Sequence, residues 1–237
     1  LNSYLTCHLQ WFFTYVLQAE GATSEARDTG VAIHEYAEKR LNWTRFEENR
    51  NSAAEATMRM ADRADLPTPL FPLADVFDRD ILPTYRDPVL VEAAFQLEIN
   101  DVPFSGVIDS LDRQDYGADA HVIILRDLKT TAARPSPGKY RLNLIGYYLG
   151  ARDLGYEPKI MQLDYIVRTK KPYYWPEPVF VPDDDEIDEF AATLTHAADM
   201  VGAGNYQPTG LGTWACNYCP HAADCGPYQR HQENPNA

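Results

Sequence analysis

The residues best equipped for chemistry fall in two short stretches. The first is VIILRDLKTT, residues 122–131. Four apolar residues of the kind that enter a core are followed by Asp127 and Lys129. On a strand, positions i and i+2 share a face, so the carboxylate and the ammonium point the same way. Asp109, in FSGVIDSLD, falls on the strand before. Two carboxylates at the ends of paired strands suit a hard divalent cation, Mg²⁺ or Mn²⁺. A lysine beside them stabilises negative charge on a phosphoryl group or positions a water. Attack of a metal-bound water on a phosphate is the chemistry that follows. Glu92 and Glu98, one strand earlier, are further candidate ligands or outer partners. The plain alternative is a salt bridge between Asp127 and Lys129 at a sheet edge.

The second stretch is WACNYCPHAADC, which spaces Cys216, Cys219 and Cys225 as C-x2-C-x5-C. Cys7 is the remaining cysteine of four in 237 residues, too few for a disulfide scaffold. Clustering of three points to a metal or cluster site, with Cys7 as the fourth thiolate. Zinc and a [4Fe–4S] cluster are both chemically allowed. Such a site would tie the two ends of the chain together and act structurally.

These residues need elements to hold them. Helical patterns cover 4–18, 24–41, 52–64 and 72–86, with Val31, His34, Ala37 and Leu41 on one face of the second. Strand patterns follow at 89–99, 103–112 and 121–129. The polar turn DRQDYGADAH makes the last two a hairpin. Gly106 would allow backbone or ligand to approach closely. A two-proline loop, ARPSPG, leads to a helix at 138–152, then strands at 159–168 and 173–181 and a helix at 183–203 that opens on DDDEID. Residues 205–237 read as loop, with a mobile tail, RHQENPNA. A meander followed by a crossover helix predicts an α/β fold, a mixed sheet with helices on its faces.

The net charge of −14 argues against broad electrostatic binding to nucleic acid. A local basic groove is compatible with it, because Arg126, Lys129, Arg134, Lys139 and Arg141 are close in sequence, as are Arg168, Lys170 and Lys171. No apolar run is long enough to span a membrane. The chain begins at Leu1, so its natural N-terminus is not defined by this sequence.

GVIDSLDR and VIILRDLKTT together resemble the PD-(D/E)XK nuclease superfamily, and within it the RecB-type exonuclease domains of recombination helicase–nucleases, CRISPR adaptation nucleases and phages. Gly106–Asp109 matches the G-x-x-D motif, and Asp127, Lys129 and Thr130 match (D/E)-x-K-T. Gly30–His34 (GVAIH) matches a G-x-x-x-H helix that supplies a metal-binding histidine. The Q-x-x-x-Y motif is altered: Asn143–Tyr147 has the spacing with Asn in place of Gln. The context SYLTC and the C-terminal cysteines are similar to the iron–sulfur members, which favours [4Fe–4S] over zinc.

The resemblance implies a restriction-endonuclease-like core in one domain, residues 1–237. It would comprise a helical N-terminal part (1–88), a nuclease core (89–182) and a C-terminal helix with the cysteine cluster (183–237). It implies a metal-dependent DNA exonuclease acting on single strands or duplex ends. His34, Asp109, Asp127 and the Leu128 carbonyl would hold Mn²⁺ or Mg²⁺, Lys129 would steady water or phosphate, and Asn143 and Tyr147 would orient the substrate. Arg134, Lys139, Arg141, Lys170 and Lys171 are candidate phosphate contacts, and Tyr173, Tyr174 and Trp175 candidate stacking surfaces. Expected partners are DNA and proteins of recombination, repair or CRISPR adaptation, in the cytoplasm of a bacterial or phage-infected cell. The alternatives are an inactive nuclease-like scaffold that binds DNA ends or a partner, and a zinc-stabilised domain of unrelated function.

Overall fold

The computed structural model describes residues 1–45, 53–115, 121–136 and 138–233. The centre of the predicted hairpin turn, one proline of the ARPSPG loop and the last four residues of the tail lie outside the described residues.

In chain order the elements are α1 (Asn2–Thr6), α2 (His8–Trp11), α3 (Glu25–Thr44), α4 (Ala53–Ala64), α5 (Phe71–Val76), β1 (Asp87–Ile99), β2 (Val102–Asp115), β3 (His121–Thr131), α6 (Arg141–Asp153), β4 (Pro158–Val167), β5 (Tyr173–Val179), α7 (Asp184–Gly202), α8 (Trp214–Asn217) and α9 (Gly226–Glu233). The chain divides into two compact units. One holds residues 26–98 and 103–187, the other residues 1–25, 99–102 and 188–237.

The larger unit is built on a five-stranded mixed sheet in the order β1-β2-β3-β4-β5. β2 and β3 are antiparallel, as the hairpin pattern predicts, and β2 continues through Arg113, Gln114 and Asp115, residues assigned to the turn from sequence. β3 and β4 run parallel. A parallel pair needs a crossover, and α6 provides it. Asn100 and Asp101, both at positive φ (50° and 62°), form the tight turn from β1 into β2.

Strand alternation sorts the core onto two faces. Leu128 and Ile166 pack with Ile33, Tyr36, Ala37 and Leu41 of α3 and with Leu73 and Val76 of α5. Leu125, Leu163 and Tyr165 pack with Leu144, Tyr148 and Ala151 of α6. The mixed sheet flanked by helices is the expected α/β, restriction-endonuclease-like architecture. Residues 72–86 depart from one continuous helix: α5 runs into a wider turn at Phe77–Ile81 and a tighter one at Leu82–Thr84.

In the smaller unit, the helix predicted over 4–18 is broken. Cys7 takes an extended conformation (φ −159°, ψ 116°) between α1 and α2. Of this segment Tyr4 is buried, and Tyr15, Val16 and Leu17 are exposed. The region read as C-terminal loop carries α8 and α9, and α9 takes in Arg230–Glu233 of the tail read as mobile. Among the described residues, no helix is long and apolar enough to cross a membrane.

Candidate active site

The register of β2 against β3 runs from Asp115↔His121 to Ser110↔Arg126. One step further, the Asp109 carboxylate accepts the Leu128 N–H at 2.8 Å. A side chain thus occupies a backbone ladder position and brings Asp109 to the place where β3 presents Asp127 and Lys129. α3 adds His34, whose Nδ1 is 3.5 Å from Asp109 Oδ2. β1 adds Glu92, which sits at φ 47° inside a strand. A left-handed residue within a strand re-aims its side chain at a cost of about 1–3 kcal/mol, and such strain collects at functional sites.

His34, Glu92 and Asp109 place ligand atoms within 4.8 Å of one another, close enough to share one cation. Asp127 lies beside this trio rather than in it. Its side chain is fully buried, and Oδ1 accepts a 2.6 Å bond from Lys129 Nζ. Its Oδ2 is buried with no partner. A buried acceptor left unmatched is costly, and the Asp127 carboxyl feels the charges of both Asp109 and His34. The donor set of imidazole plus carboxylates fits a divalent metal.

Burial dominates the electrostatics of the site. Burial pushes the Asp127 carboxyl up to about 7, despite the lowering effect of Lys129. Burial likewise raises Asp109 to about 6. Glu92 is raised by burial and by Glu38. Burial lowers His34, and Lys129 lowers it further, which favours the neutral imidazole that a metal requires. Burial opposes the charge on Lys129, but Asp127 and Asp109 outweigh it and hold its pKa above the usual value.

Asn143 and Tyr147 share a face of α6 and are hydrogen-bonded to each other. Burial raises the Tyr147 pKa, and the Asp127 charge adds to it, so the phenol lies within the field of the site. Gly106 accommodates protein rather than ligand: a Cβ there would lie 2.7 Å from the Phe95 ring. The same ring presses on Gly150 of α6, where a Cβ would meet it at 2.5 Å.

The remaining expectations divide. Glu98 is exposed, and Val31, expected on the buried face of α3, is 51% exposed. Val31 lines an open groove with His34, Glu38, Glu92, Lys129 and Thr130. Arg126, counted in the basic cluster, is wholly buried. It stacks on Tyr85 and bonds Asp164 at 2.8 Å and Thr84 at 2.7 Å. Arg141 forks onto Glu186 and donates to the Phe180 carbonyl. Arg134 lies over the Trp175 ring and Lys139 over Tyr140. Lys170 and Lys171 are exposed between β4 and β5. Glu92 was legible as a candidate, but nothing in the sequence pattern marks its backbone reversal.

In the smaller unit, Cys7, Cys216, Cys219 and Cys225 line one pocket. All four are free thiols. Burial pushes the Cys219 thiol up, and the charges of Cys7, Cys225 and Cys216 push it the same way, while a backbone N–H of His221 opposes them. Four thiols close enough to repel one another as thiolates form a donor set that a soft metal or a cluster would neutralise.

No curated protein matches the sequence. Among solved structures, the chain is similar to a protein of Eubacterium rectale provisionally described as an exonuclease, with 13% identity, a TM-score of 0.55 and coverage of 90% of this chain and 80% of that one. It also aligns with the crystal structure of SSO0001, with 17% identity over 81% of this chain and 84% of that one and a TM-score of 0.41. The model of the PD-(D/E)XK nuclease superfamily matches residues 1–226, a span that takes in His34, Glu92, Asp109, Asp127, Lys129 and all four cysteines. The chain belongs to the PD-(D/E)XK nuclease superfamily.

Proposed function

We propose that this protein is a RecB-like, metal-dependent DNA exonuclease that hydrolyses phosphodiester bonds on single strands or duplex ends. The observation that carries the reading is the unpartnered, buried Asp127 Oδ2 next to the convergent His34, Glu92 and Asp109. His34, Glu92, Asp109 and Asp127, with the Leu128 carbonyl, would hold Mn²⁺ or Mg²⁺. A bound divalent cation supplies a Lewis acid at the scissile phosphate. Lys129 keeps its proton and presents positive charge to the phosphate or holds the attacking water by hydrogen bonding. Tyr147, fixed by Asn143, orients the substrate, and the shorter Asn leaves the task to the tyrosine hydroxyl. The His34 imidazole donates to the Leu128 carbonyl, so the two groups already face each other at the site.

Cys7, Cys216, Cys219 and Cys225 would bind a [4Fe–4S] cluster, with zinc as the alternative, and the role is structural. The whole chain would then serve as one domain in DNA recombination, repair or CRISPR adaptation in the cytoplasm of a bacterial or phage-infected cell.

The test is digestion of end-labelled single-stranded DNA, blunt duplex and nicked circles by anaerobically purified protein in Mn²⁺, Mg²⁺ or EDTA, with Asp127→Ala alongside. Metal-dependent shortening from a labelled end, lost in the variant, is the expected result. A protein with its full iron content that cuts none of these substrates would refute the assignment. Cleavage of nicked circles at internal positions would make it an endonuclease instead.

A further inference from the structure

Lys129 does not end the functional face of the sheet. It pairs with the buried Tyr165 on β4, and Tyr165 pairs with the half-buried Trp175 on β5, so the three side chains form a row on one face. β5 is the last strand in the sheet order, so the row runs from the candidate phosphate position to a sheet edge. Tyr140 lies above Tyr165, ring centroids 6.2 Å apart, and within 5.4 Å of the Lys129 ammonium. Lys139 approaches the same Tyr140 ring at 5.2 Å, and the exposed Arg134 guanidinium lies over Trp175. Next along β5 on this face comes Tyr173, 39% exposed, followed by Lys171 and Lys170 beyond the strand.

The charge distribution is equally local. The chain carries 35 acidic residues, yet residues 128–141 and 165–176 contain none. On the other side of Trp175 the same face carries Glu177, paired with Leu163, which repels phosphate and bounds the surface there. Alternating rings and cations are what a single nucleic-acid strand uses, bases stacking on π-faces and phosphates meeting ammonium and guanidinium groups. A duplex, with its bases already stacked, gains nothing from the rings.

We propose that Tyr140, Trp175 with its stacked Arg134, and Tyr173, flanked by Lys139 and Lys171, form a bed on which one unpaired DNA strand lies as it is fed to Lys129. The proposal rests on the nuclease reading of the Lys129 site and adds the strand type and its route.

The test is binding of a fluorescein-labelled oligo-dT of about 15 nucleotides, followed by anisotropy in EDTA. Trp175→Ala should weaken binding by about tenfold or more, and Trp175→Phe, which keeps a ring, by less. Arg134→Ala and Lys139→Ala alter exposed side chains and serve where Trp175→Ala fails to fold; each should weaken binding several-fold. Phe180→Ala removes an aromatic that is 91% exposed but lies past Glu177, and should change nothing. In the cleavage assay the Trp175 and Arg134 variants should raise KM with kcat at saturation kept. Wild-type affinity in folded Trp175→Ala, or in Arg134→Ala and Lys139→Ala together, would overturn the bed. If the wild type cuts DNA while these variants keep wild-type KM, the bed fails and the nuclease stands. If the wild type binds the strand through these residues yet cuts nothing, the nuclease reading fails and the bed stands.

Discussion

At the scale of single residues, Glu92 and the pair Asp109 and Asp127 carry costs that a bound cation would offset. Glu92 holds a left-handed φ of 47°, a conformation that glycine adopts without penalty. Glu92→Gly should therefore raise the melting stability of the metal-free protein by about 1 kcal/mol, and calorimetric titration should show weaker Mn²⁺ binding. A variant both less stable and equally avid would show that Glu92 is structural. Asp109 and Asp127 carry the second cost. Their pKa values, about 6 and about 7, stand above the ordinary value of 3.8. Between about pH 4 and pH 7 the unfolded chain has released these protons while the folded protein still holds them. Metal-free stability should then fall as pH rises through that window and level off above it. A divalent cation needs both groups ionised, so its affinity should rise over the same window, by about tenfold per pH unit for each proton displaced. A pH-independent affinity between pH 5 and 8 would remove these carboxylates from the ligand set.

At the scale of elements, the register brings the site together, and glycines let α6 close down on the sheet. Phe95 of β1 wedges between Gly106 of β2 and Gly150 of α6. In an ordinary helix, Gly→Ala is stabilising by about 1 kcal/mol. Gly150→Ala should instead destabilise by about 1–3 kcal/mol through overpacking, measured by urea unfolding, and Phe95→Leu in the same chain should recover much of it. Stabilisation by Gly150→Ala alone would show that the helix sits further from the sheet.

Much of this scale was legible in sequence. The D-x-K strand end follows from the apolar run before it, the β2–β3 hairpin from two strand patterns around a polar turn, and the crossover helix from the segment after the two-proline loop. What escaped has physical reasons. The face of α3 was misjudged because His34 and Val31 look apolar-periodic but line the open groove, while Arg40 is buried through ion pairs with Glu55 and Asp78. The break at Cys7 was hidden because an aromatic run reads as continuous helix. Arg126 counted as surface charge because its partner Asp164 is 38 residues away. Glu92 could be suspected, but a backbone reversal in one residue leaves no periodic signal.

At the scale of the whole molecule, the smaller unit joins residues from both ends of the chain, and Cys7 lines one pocket with Cys216, Cys219 and Cys225. With a cluster bound there, Cys216→Ser should lose broad visible absorbance and lower the melting temperature by roughly 5 °C or more. Mn²⁺ affinity at the Asp109 site, measured on the protein that remains folded, should change little. A colourless wild type with one zinc would replace iron by zinc at the same four thiols. A variant of unchanged melting temperature would remove the structural role altogether.

The proposed cation site turns on Asp109, which accepts the Leu128 N–H and lies within reach of both His34 and Glu92, with Asp127 beside them. The most direct measurement is calorimetric titration of metal-stripped wild type and Asp109→Asn with Mn²⁺ at pH 8. The predicted result is saturable binding by the wild type and loss of about 100-fold or more in affinity in the variant, which keeps the size and hydrogen bonding of the side chain but not its charge. Equal Mn²⁺ binding by the two proteins, or none by a folded wild type, would contradict it.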